Sequence, residues 1–116
     1  VNIVALVLAV LLIVVCLATA VADFRSDPRA LAVTDRLDIP RSAVRSLGGV
    51  KAVLAVGLLI GMISGVIAFV AGVALTFYFL FALVAHVRVK DTTANTAPAF
   101  ACLVLSGLYL LTTIAA

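Results

Sequence analysis

Charge is scarce in this 116-residue sequence: 11% of its residues are charged, against about 25% in soluble domains. Its five acidic residues are all aspartates, and it has a single histidine and two cysteines. None of the aspartates falls inside a long apolar run, so no carrier for a proton or ion relay through a bilayer is expected. A nucleophile elbow, a phosphate-binding loop and a C-x-x-C pair are all missing. The expectation is a protein that is not an enzyme, with no catalytic residue, cofactor or metal.

What is there is hydrocarbon, at 66% of the residues. From Ala52 to Ala85 the chain carries no charged residue. As one helix that run would extend about 51 Å, while a bilayer core is roughly 30 Å thick. It suits two spans if each borrows a turn from its flanks. Val1 to Ala22 is a second apolar run, interrupted only by Asn2 and Thr19, and Ala97 to Ala116 is a third. The sequence therefore predicts an all-α fold, a polytopic membrane protein. Residues 1–116 form a single membrane domain, an antiparallel bundle of four transmembrane helices at about 2–22, 44–63, 66–87 and 97–115. Ala18-Thr19-Ala20 looks like a signal-peptide cleavage site, but the first run lacks a basic leader and exceeds the usual apolar length, so an uncleaved helix is expected.

All eight Lys and Arg lie in two places. Arg25, Arg29, Arg36, Arg41, Arg45 and Lys51 follow the first span, and Arg88 and Lys90 follow the third. In an up-and-down arrangement those two loops share a side, which the positive-inside bias puts in the cytoplasm, with both termini outside. The expected location is a bacterial inner membrane. The net charge of +3 suits anionic headgroups and does not call for nucleic acid. Arg25, Arg29, Arg41, Arg45, Lys51, Arg88 and Lys90 are the expected headgroup or cytoplasmic contacts, with Arg41, Arg45 and Lys51 able to snorkel.

In the cytoplasmic loop 23–43, Ser26-Asp27-Pro28 reads as a helix start. Ala30, Leu31, Val33 and Leu37 then share a face away from Arg29 and Arg36, predicting a short amphipathic helix, either on the membrane surface or solvated. In the second span, Gly57, Gly61 and Gly65 recur at a four-residue spacing, and Gly48, Ala52 and Ser64 add small residues. Such a stripe lets backbones approach closely, against a helix of the same chain or against a partner helix. Ser64 and Ser106 are expected to bond back to the preceding turn. Phe69, Phe77, Tyr78, Phe79 and Phe81 on the third span fill a core, line a lipid or quinone groove, or face acyl chains. Cys16, Cys102 and His86 fall at similar depth near the basic side, where buried reduced thiols serving as small hydrophobes are expected.

Ile39-Pro40, Gly48-Gly49-Val50-Lys51 and Gly57-Leu58-Leu59-Ile60-Gly61 resemble the opening of the second helix in DoxX-like small membrane proteins. Ala85-His86-Val87-Arg88-Val89-Lys90-Asp91 with Ala97-Pro98-Ala99 is similar to that family's second marker. The resemblance covers essentially the whole chain and implies a compact four-helix bundle. It also implies a partner role in redox or envelope assemblies, the family being named for the small subunit of a thiosulfate:quinone oxidoreductase. No redox residue carries over, since the second span has no acid and the cysteines are not paired.

The function expected is that of a small non-enzymatic accessory or stabilising subunit of a larger integral membrane complex, with a transporter permease as the favoured partner and an envelope lipid transporter as one host. A quinone-linked redox subunit or a small lipid carrier are the alternatives, the carrier having only Asn2, Thr19, Ser64, Thr76, Ser106, Thr112 and Thr113 to line a path. Val1, read as the product of a GTG start, and the abundance of Ala and Val suit a high-GC, actinobacterial source.

Overall fold

The structure, a computed structural model, describes residues 3–115. Five α-helices follow one another: α1 (Ile3–Phe24), α2 (Pro28–Arg36), α3 (Val44–Gly61), α4 (Gly65–Arg88) and α5 (Thr93–Ala115). A 3₁₀ turn, Arg41–Ala43, leads into α3. No strand occurs among the described residues. Four of the helices, all but α2, are long and apolar enough to cross a membrane. The molecule's long dimension of 40 Å matches a hydrocarbon core with both interfaces. Asn2, counted above among the polar residues of the first run, lies outside the described residues.

The four long helices form a closed ring in which α1 packs on α3, α3 on α4, α4 on α5, and α5 back on α1. The tightest seams are α4–α5 and α1–α3, and the α5–α1 seam is the loosest. Leu12, Leu58 and Leu75 are fully enclosed at the centre, with Cys16, Phe79 and Tyr109 around them. Val53, Val66, Phe81 and Val87 point outward. This outside is apolar because lipid is its solvent, so hydrophobicity alone does not drive the helices together. Close contact must do so, and small residues supply it: Ala9, Ala20, Ala55, Ala68 and Ala71 are all buried. At Gly72 an added Cβ would sit 3.2 Å from Leu110 Cα, which shows how nearly the α4 and α5 backbones touch. Hydroxyls inside the spans bond to their own helices, as in Thr19 to Val15 O (2.8 Å), Thr76 to Gly72 O (2.7 Å) and Ser106 to Cys102 O (2.8 Å).

The amphipathic helix forms where the sequence predicts it. Asp27 caps α2 by accepting from the Arg29 N–H at 2.9 Å, and Pro28 occupies the first turn, where it forfeits no hydrogen bond. Thr34 within α2 and Leu37 at its C-cap are buried and turn toward the bundle, whereas Val33, expected on the same face, is exposed. Two local expectations change. Ser64 does not bond back into the preceding turn; it is the N-cap of α4 and accepts from the Ile67 N–H. The last helix begins at Thr93 rather than near residue 97, and Pro98 lies inside it. Thr92 accounts for the early start, because its hydroxyl accepts from the Asn95 N–H at 3.2 Å. Pro98 leaves the Ala94 carbonyl without its intrahelical partner, but Ala94 is exposed and that carbonyl can be solvated.

Candidate functional site

The chemistry of the molecule gathers at the end where the basic loops lie. Gly48 on α3 sets the approach of α1: an added Cβ there would stand 3.0 Å from Asp23 Cβ and 3.1 Å from the Ala20 carbonyl. One turn further along α3, Lys51 reaches Asp23, with Nζ 2.9 Å from Oδ2. The two side chains are only 16% and 9% exposed, so the pair is screened from water. Lys51 Nζ also stands 6.0 Å from the ring centroid of Tyr78 on α4, at the outer edge of cation–π range. Tyr78 meets Phe79 edge-on with centroids 5.3 Å apart. Cys16 of α1 and Cys102 of α5, both free thiols in the core, lie within electrostatic reach of Lys51. Every long helix thus contributes to one buried layer around a single ammonium group.

This layer corrects two expectations. An acidic residue does stand within a span, since α1 continues to Phe24 and carries Asp23 buried in its last turn. Lys51 does not snorkel toward headgroups, because its charge is satisfied inside the bundle. The partners lie 28 positions apart in sequence, and no local pattern announces their pairing.

A second cluster centres on Asp91 in the α4–α5 loop. Its Oδ2 lies 2.8 Å from His86 Nδ1, and its Oδ1 accepts from Asn95 Nδ2 at 2.9 Å and from the Thr92 N–H at 2.8 Å. Arg36 Nε of α2 is 3.6 Å from the same carboxylate. The Asn95 amide and His86, then Thr92 and Arg36, favour the charged form against the cost of burial and hold the carboxyl down at about 2. The loop reaches this position through Lys90, which adopts a left-handed φ of 55° while the Asp91 N–H bonds back to the His86 carbonyl at 3.0 Å. Asp91 therefore fastens the amphipathic helix to the α4–α5 corner. Asp91 and Asn95, four residues apart, were the available signal.

The structure divides the remaining predicted residues. Gly57 and Gly61 face α4: an added Cβ at Gly57 would be 3.5 Å from Ala71 Cβ, and one at Gly61 would be 2.9 Å from Ala68 Cα and 3.0 Å from the Tyr109 hydroxyl oxygen. Gly65 belongs to α4 instead, with open space where a side chain would begin. The stripe is thus two glycines long and is occupied within the chain. Arg41 pairs with exposed Asp35 through two hydrogen bonds of 3.1 and 2.7 Å. Arg25, Arg29, Arg45, Arg88 and Lys90 are exposed and make no ion pair with any described residue. Lys90 rims an open apolar groove between α4 and α5, lined also by Leu83, Val87 and Phe100. The aromatic residues of α4 divide: Tyr78 and Phe79 pack together at the core, while Phe69, Phe77 and Phe81 face outward on the lipid side. Among the described residues no three His, Cys, Asp or Glu side chains are grouped so as to hold a metal ion.

No curated protein and no solved structure matches this chain. The profile of the DoxX-like family, however, matches residues 7–108, from the second turn of α1 to beyond the middle of α5, and takes in both polar clusters and all four spans. The chain is a multi-pass membrane protein and belongs to the DoxX-like family.

Proposed function

We propose that this protein is a small non-enzymatic subunit of a larger membrane complex in a bacterial inner membrane, both termini outside, docking through its basic face. One observation carries the reading: the cations divide into two sets. Lys51, Arg36 and Arg41 are engaged by Asp23, Asp91 and Asp35 of the same chain. Arg25, Arg29, Arg45, Arg88 and Lys90 are left exposed at the same end. Free cations at that end suit an acidic surface of a partner and the anionic headgroups beside it. Among the described residues the buried polar side chains, by contrast, all have hydrogen-bond partners within the chain. A larger integral complex, such as a transporter permease, offers both an acidic cytoplasmic face and a flank for the apolar sides of the bundle.

Affinity purification in a mild detergent is the test. The expected result is a larger membrane protein recovered at fixed stoichiometry, and its loss when Arg25, Arg29 and Arg45 are changed together to Glu. Circular dichroism should show the triple variant folded. Recovery of the protein alone, or undiminished association of the triple variant, would overturn the proposal.

A further inference from the structure

α4 and α5 nearly touch at Gly72 and Leu110, yet toward the basic loops an open groove of about 490 Å³ runs between them. Leu83 and Val87 line it on α4, and Ala97 and Phe100 on α5. Val87 and Phe100 are 64% and 57% exposed, on a side of the bundle that lipid covers. Lys90 stands at the mouth, just beyond the end of α4, and its ammonium forms no ion pair with any described residue. Asp91 also belongs to the wall, but its carboxylate is 6% exposed and already engaged by His86, Asn95, Thr92 and Arg36. The groove therefore presents a free positive charge at its head and hydrocarbon below it. The backbone at Lys90 adds to this. Its φ of 55° is one at which glycine is the usual residue, so the lysine stands there against local preference and without a partner in the chain.

We propose that this groove holds an anionic phospholipid, with its phosphate on the Lys90 ammonium and one acyl chain between α4 and α5. Charge complementarity selects the head, and a zwitterionic lipid is the poorer fit because its own cation offsets the phosphate beside Lys90. The walls select the tail. Val87 and Leu83 lie about one and two turns below Lys90, a descent of roughly 10 Å toward the hydrocarbon. An acidic peptide does not suit that depth, since its backbone groups would lose water without gaining partners. The assignment rests on the reading of the unpaired cations as a contact face and deepens it. Lys90 serves lipid, while Arg25, Arg29 and Arg45 are left for a protein partner.

The sequence has no tryptophan, so Phe100→Trp places a single fluorophore on the groove wall. The full chain carrying it is reconstituted alone in phosphatidylcholine vesicles, so the result is independent of whether a partner protein docks. Phosphatidylglycerol or phosphatidylcholine with brominated chains is then the quencher. Half-quenching should need roughly 5-fold less of the anionic lipid, the worth of one cation near a membrane surface. Lys90→Gly, which suits the left-handed backbone, should remove that preference without lowering the melting temperature, and Lys90→Arg should keep it. Val50→Trp, exposed at a similar distance from the start of α3, should show little preference, because diffuse attraction to the basic end acts there without a groove. Equal quenching by the two lipids at Phe100→Trp, or a preference that survives Lys90→Gly, would overturn the proposal. So would an equal preference at Val50→Trp, or a fluorophore that neither lipid reaches because a second copy of the chain covers the groove.

Discussion

An ammonium and a carboxylate 2.9 Å apart, both largely screened from water, make Lys51 and Asp23 the most consequential residues of the bundle. Each has given up hydration, and each leaves the other uncompensated if removed. Lys51→Met should cost about 3–5 kcal/mol, whereas Lys51→Met combined with Asp23→Leu should recover most of the loss. Thermal melting in micelles measures this, and a double variant as unstable as the single one would refute the coupling. At Asp91 the effect is one of pH. Its carboxyl is held at about 2, below the ordinary 3.8, so the folded state binds the proton less readily than the unfolded chain does. The stabilisation is complete above about pH 4 and is lost as pH falls through the folded value. Asp91→Asn should therefore flatten the fall in melting temperature between about pH 5 and pH 2. An unchanged slope in the variant would assign that acid sensitivity to another carboxylate. Neither cluster was legible in the sequence beyond its ingredients. Asp23 stood one residue outside the expected span, and its partner is set by the Gly48 contact rather than by any spacing.

Among the elements, the long helices were readable because uncharged runs of spanning length permit little else in lipid. Their ends were less so, since the ends depend on single hydrogen bonds. Thr92 lengthens α5 backward past Pro98, and Ser64 divides α3 from α4 so that Gly65 falls on the far side. Glycines that look alike in sequence therefore differ in their surroundings. Gly61→Ala would drive a Cβ to 2.9 Å from Ala68 Cα, a backbone atom that cannot swing aside. It should cost about 1–3 kcal/mol as α3 and α4 are pushed apart. Gly49 lies in the same helix with nothing within 4 Å of an added Cβ. Gly49→Ala should raise stability by roughly 0.5–1 kcal/mol, the usual advantage of Ala over Gly in a helix interior. Melting of the two variants side by side would show opposite shifts, and a loss at Gly49 would mean that its face is covered by something other than lipid.

At the scale of the whole molecule, the ring of four helices places both basic loops at one end and the α3–α4 turn at the other, an arrangement the charge distribution already implied. The proposed inward orientation of the basic end rests on the positive-inside bias, which acts on cations near the ends of spans. Cysteine labelling tests it, since Cys16 and Cys102 are buried and should give little background. Ile63 is 90% exposed in the α3–α4 turn, and Asp38 is exposed in the loop before α3. A membrane-impermeant maleimide applied to intact cells should therefore label Ile63→Cys at once and Asp38→Cys only after the membrane is opened. The reverse pattern would invert the protein in the membrane and turn its unpaired arginines outward. The basic face would then have no cytoplasmic partner to meet.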